Sequence, residues 1–105
     1  MSFERVYRVT ARGRFKDLSE QSRSYLQKAQ PEHDIFQSAF TAEGTFTYDE
    51  KVQFFNLRYE VRTAEGSEAA AKIGETEAAL FLKTLGYASH PLKITVADAS
   101  AMWGD

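Results

Sequence analysis

Three arginines in the stretch "YRVTARGRF" raise the first chemical question. On an extended strand successive side chains point to opposite faces, so Arg8, Arg12 and Arg14 share one side with Thr10. Tyr7, Val9, Ala11, Gly13 and Phe15 share the other. A row of guanidiniums is chemistry for anions, phosphate or carboxylate, held by forked N–H donors. A second strand, read over 52–63, turns Val52, Phe54, Asn56, Arg58, Glu60 and Arg62 to its own outer side. Lys93 joins this field from a later strand, and Glu60 is its one evident carboxylate. Arg8, Arg12 and Arg58 are the expected set for a small anionic ligand. A bland alternative stands beside it. Same-face neighbours about 7 Å apart repel by only ~0.6 kcal/mol in water, so a solvated arginine face costs little. A third reading covers the face with a second subunit, Glu43 supplying a carboxylate.

Sharper chemistry finds less support. An acylphosphatase-type hydrolase needs a glycine-rich phosphate cradle after the first strand, an arginine and a water-orienting asparagine. The chain offers Arg23 and Asn56, but the loop "RFKDLSE" holds no glycine. Single-stranded RNA recognition on this topology stacks bases on central-strand aromatics, and Phe54 is the one outward aromatic there. His33 lies between Glu32 and Asp34, and adjacent residues do not converge on one metal, so it reads as a solvated loop histidine. His90 precedes Pro91 at a strand start and reads the same way. No metal site, cofactor or catalytic residue is expected. Trp103, two residues from the end, is expected to dock on its own domain or on a second chain.

These side chains need a scaffold, and composition bounds it. The 105 residues make one domain, 1–105. A formal net charge of −2 disfavours nucleic acid as a partner. With no cysteine, disulfides, thiol catalysis and thiolate metal sites fall together, which suits a reducing compartment. No long apolar run suggests a signal peptide or a membrane span, and a cytoplasmic protein is expected.

Periodicity supplies the elements. The first strand covers about 5–15. Leu18, Ser22, Tyr25, Leu26 and Ala29 follow at helical spacing, with Ser19 as N-cap and Pro31 as the stop. The segment "FQSAFTAEGTFTYD" reads as one long strand bulged at Gly44, with Phe36, Phe40, Phe46 and Tyr48 on one side. The 52–63 strand then turns Phe55, Leu57, Tyr59 and Val61 inward. Ala70, Ile73, Glu77, Leu80, Phe81 and Leu85 trace a second helix closed by Gly86. A last strand carries Leu92, Ile94 and Val96 inward and ends near Asp98. The order β-α-β-β-α-β predicts an α+β, ferredoxin-like sandwich: a four-stranded antiparallel sheet with two helices on one face.

The phrases "RVTARGRFKDLS", "FQSAFTAEGTFTYD" and "KITVADASAMW" resemble a family of short bacterial proteins catalogued only as a domain of unknown function. The resemblance implies a compact α+β domain and supplies no activity. The reading is therefore a non-catalytic association or small-ligand binding module, self-associating through its open sheet face or edge. Its ligand or interface residues are Arg8, Arg12, Arg14, Phe54, Asn56, Arg58, Arg62 and Trp103. The alternatives are a small enzyme with a pocket at a dimer interface and a weak RNA-binding domain.

Overall fold

A computed structural model of the chain describes residues 4–36 and 39–99. Trp103 lies outside the described residues. The chain runs through β1 (Arg5–Lys16), α1 (Glu20–Ala29), a 3-10 turn (Gln30–His33), β2 (Thr45–Tyr48), β3 (Phe54–Thr63), α2 (Ser67–Leu85), β4 (Ala88–Ser89) and β5 (Lys93–Asp98). It is an α+β fold with two helices and an antiparallel sheet.

β1 is the spine of the sheet. β3 pairs along one side of it in an unbroken register from Arg5↔Thr63 to Arg14↔Phe54, and β2 extends the sheet beyond β3. β4 and β5 share the other side of β1. Four strands are therefore five, and the cause lies at Pro91. The chain leaving α2 first pairs Ser89 with Phe15, then breaks where proline offers no N–H, and resumes as β5 with the register slipped by one residue.

The alternation read for β1 holds: Tyr7, Val9, Ala11 and Phe15 are buried, Val9 completely. Phe55, Leu57, Tyr59 and Val61 of β3 lie buried beside them. The stripe of α2 is rotated from its expected position. Ala70, Gly74, Ala78 and Leu82 are buried, while Ile73, Leu80 and Leu85 are exposed. The reason is close approach: a Cβ on Gly74 would sit 2.4 Å from Val9 Cγ1, so α2 comes down where only small residues fit. Gly86 caps α2 in the left-handed conformation as expected, and the Ser19 hydroxyl caps α1 by accepting from the Ser22 N–H at 3.1 Å.

The segment before β2 is the main correction. It does not form one long strand. Only Thr45–Tyr48 pairs with β3 as a strand, and a turn closes from Thr41 to Gly44, whose N–H reaches the Thr41 carbonyl at 3.2 Å. Gly44 has φ +96°, and a Cβ there would stand 2.3 Å from the Tyr59 ring. Upstream, the chain touches the sheet at Asp34↔Tyr48 and again at Thr41↔Tyr59. It therefore doubles back beside β2 and puts Phe40 and Phe36 out of the expected register. Phe40 sits under Arg8 on the outer face, and Phe36 is 90% exposed. Val52, read as an outward strand residue, lies instead in the β2–β3 turn at φ +54° and is completely buried.

Candidate functional site

The outer face carries the arginines where the alternation put them. Cross-strand partners share a face, and Arg8↔Glu60, Thr10↔Arg58, Arg12↔Asn56 and Arg12↔Lys93 are partners. The guanidiniums nevertheless end on different neighbours. Arg8 lies over the Phe40 ring at 5.3 Å, while Arg12 and Arg14 lie over Phe54 at 5.7 and 5.8 Å. Arg62 pairs with Glu60 at 3.2 Å on the surface. Arg58 turns toward β2, where its guanidinium donates to Thr47 Oγ1 (2.8 Å) and the Ile35 carbonyl (3.2 Å). Asn56, with its amide turned to satisfy both ends, accepts from Arg58 at 3.1 Å and donates to the Phe55 carbonyl. Burial pulls the Arg58 pKa below the ordinary arginine value. Ile35 and Phe40 meet this face on its β2 half, and Arg58 and Asn56 are buried rather than open. The β1 half, with Arg8, Arg12, Arg14 and Phe54, remains accessible.

The other face holds a cleft that periodicity alone does not show. α2 lies down across β1, β3 and β5. α1 meets the sheet over β2, through buried Leu26, whose carbonyl accepts the Tyr48 phenol at 2.6 Å. Between the helices a cavity of 340 Å³ remains. Its floor is Phe46 and Tyr48 of β2. Tyr25 and Ala29 of α1 and His33 of the 3-10 turn form one wall; Phe81, Leu85 and Tyr87 form the other. The rings touch one another: Phe46 to Phe81 at 5.0 Å, Phe46 to Tyr48 at 5.2 Å, and His33 stacked on Tyr48 at 5.8 Å and 16°.

Polar groups are few and placed. His33 Nδ1 lies 3.0 Å from the Phe46 carbonyl. A carbonyl only accepts, so Nδ1 carries the proton there, and Nε2 of the neutral ring is left as an acceptor. Burial, then Tyr87, Tyr25 and Glu32, push the Tyr48 phenol up to about 12. Burial and then Tyr25 raise Tyr87 as well. These phenols stay neutral; the Tyr48 O–H is held by the Leu26 carbonyl, and Tyr87 keeps its O–H as a donor. A second hollow of 280 Å³ adjoins the cleft across Phe81 and Leu85, with Glu43, Glu77 and Tyr59 in its lining. Burial and then Glu77 push Tyr59 up to about 12. Among the described residues no group of three His, Cys, Asp or Glu could hold a metal, and no helix is long and apolar enough to cross a membrane.

His33 was legible only as a loop residue. Its setting depends on the turn that α1 makes after Gln30, and no local pattern encodes that. The aromatic parity of Phe46 and Tyr48 was the one available signal, and it placed the floor correctly. Residues 1–103 match the model of a family of unknown function, DUF6204. The chain belongs to that family. No curated protein and no solved structure matches it. The function of that family is not known, so the reading rests on the geometry above.

Proposed function

We propose that this chain is a non-catalytic, small-ligand binding module of ferredoxin-like arrangement whose site is the aromatic cleft between α1 and α2. The observation that carries the reading is the 340 Å³ cavity walled by aromatic rings from both helices and from β2. Its size falls within the range of natural small-molecule pockets, which are mostly apolar with a few fixed polar groups. A planar ring fits between such walls by stacking, at about 0.5–1.5 kcal/mol per good aromatic contact beyond area burial. Glu43 and Glu77 in the adjoining hollow put negative field at one end. The favoured ligand is therefore an aromatic body that is neutral or carries an amine, rather than an aromatic acid.

An NMR titration tests this with tyramine and 4-hydroxyphenylacetate as paired probes. Tyramine should shift the resonances of Phe46, Phe81 and Tyr87 and bind more tightly than the acid. Ala29→Phe, which fills the cleft from α1, should abolish those shifts. Shifts confined to other surfaces, or none with either probe, would end the reading.

A second reading keeps the β1 half of the outer face as an anion site. It is favoured by Arg8, Arg12 and Arg14, none of which has an ion-pair partner among the described residues. Phosphate should then perturb the Thr10 and Phe54 amides, and Arg8→Ala with Arg12→Ala should remove the effect. An unchanged response in the double variant would exclude it.

A further inference from the structure

The two edges of the sheet are finished differently, and the hydrogen-bond phase of β1 shows how. Phe15 N–H donates to Gln53 on the β3 side, whereas the Arg14 and Val6 carbonyls accept from His90 and Ala99 on the β5 side. Even-numbered residues of β1 therefore bond toward β5 and odd-numbered ones toward β3. In the register Tyr7↔Asp98 to Arg12↔Lys93, the β5 residues bonded to β1 are Lys93, Thr95 and Ala97. The backbone groups of Ile94 and Val96 point away from the sheet, and among the described residues they meet no partner.

At β2 the same count gives the opposite result. The outward carbonyl of Phe46 takes the His33 Nδ1–H, and that of Tyr48 takes both the Gln30 side chain (3.2 Å) and the Ile35 N–H (3.1 Å). Among the described residues one edge is capped within the chain and the other is not.

We infer that β5 pairs antiparallel with β5 of a second copy about a twofold axis at Thr95, joining two sheets into one. The strand suits its own image. Residues of one face must meet residues of the same face, and with Thr95 opposite Thr95 the hydrogen-bonded pairs are Ile94 with Val96, twice. Both are half-buried on the helix side, where pairing would cover them further. On the outer side Lys93 meets Ala97, so no like charges are opposed. Asp98, beyond the paired stretch, is already held by Arg5 at 3.0 Å. Thr10 is the β1 partner of Thr95, so four threonines would line up across the junction.

Charge selects the edge over the face. The open part of the outer face gathers Arg8, Arg12, Arg14, Lys16, Arg62 and Lys93, with Glu60 the one carboxylate among the described strand residues of that face, so a twofold packing of that face on itself would oppose cations to cations.

The chain has no cysteine, which makes a single introduced thiol a clean reporter. A directly opposed pair without mutual hydrogen bonds has its Cα atoms about 4.5 Å apart, within disulfide range. Under oxidised glutathione, Thr95→Cys should form a covalent dimer at least tenfold faster than Ala97→Cys, whose thiols lie two residues off the axis on either strand. Equal rates, or no dimer from Thr95→Cys at 1 mM chain, would overturn the inference. Sedimentation of Val96→Pro gives an independent check. That change removes an N–H which β1 does not use, so the fold should survive while the rise of mass with concentration disappears. A mass rising as in the native chain would count against the pairing. If Val96→Pro does not fold, the cysteine pair still decides.

Discussion

β2 and β5 are both edge strands, and each must dispose of backbone groups that no neighbouring strand takes. At β2 the solution is internal. The 3-10 turn after α1 brings Gln30, His33 and Ile35 onto the outward carbonyls of Phe46 and Tyr48. The same turn sets the His33 ring on Tyr48, so closing the edge also builds one wall of the aromatic cleft. Among the described residues there is no such turn at β5, and the outward backbone groups of Ile94 and Val96 meet no partner there. The contrast is between an edge closed against its own chain and an edge that the inferred pairing would fill with a second copy.

Changes at particular residues separate the two edges. The largest effect is expected from proline in β5. Thr95→Pro removes a ladder bond to β1 and drives its ring toward that strand, and should cost about 3 kcal/mol or more in urea unfolding. Val96→Pro, one residue on, should cost about 1 kcal/mol. Equal costs would mean that the assigned phase is wrong.

Alkaline titration comes next and reports on the closed side. The pKa values of Tyr48 and Tyr59 are raised from 10.0 to about 12, chiefly by burial. The folded state favours the neutral phenols, so their contribution is whole below pH 10 and is lost as pH climbs through about 12. The expected loss is about 3 kcal/mol for each phenol. Tyr48→Phe should flatten part of that fall. It also removes the bond to the Leu26 carbonyl, so its stability at neutral pH should drop by about 1 kcal/mol. An unaltered alkaline profile would show that Tyr48 does not tie α1 to the sheet.

Gly44→Ala should cost about 2 kcal/mol, because alanine is strained at φ +96° and meets the Tyr59 ring. Gln30→Ala and His33→Ala should each cost about 1 kcal/mol by freeing a β2 carbonyl. His33→Ala should also weaken tyramine binding. Arg62→Ala sets the floor of the series: its pair with Glu60 is a surface one, and the change should fall below about 0.5 kcal/mol.

The same contrast explains what the sequence disclosed. β1, β3 and β5 have periods that local alternation reveals, so their faces, including the arginine side, could be read directly. Gly86 and Ser19 announced their helix ends through conformational and capping chemistry that needs no tertiary context. The stretch around β2 failed because Phe36, Phe40, Phe46 and Tyr48 share one parity across a reversal that parity cannot register. The α2 stripe failed for a different reason. The larger residues Ile73 and Leu80 suggested the buried side, but the depth set by Gly74 against Val9 put Ala70 and Ala78 there instead. The cleft depends on both surprises, and so it was invisible from the chain alone.

Amide exchange at two protein concentrations tests the difference between the edges most directly. The Thr95 and Ala97 amides should be protected at every concentration, because β1 holds them. The Ile94 and Val96 amides should exchange freely in dilute solution and slow by tenfold or more at millimolar chain. Protection of Ile94 and Val96 that does not change with concentration, or exchange that stays fast throughout, would contradict an edge that waits for a second copy.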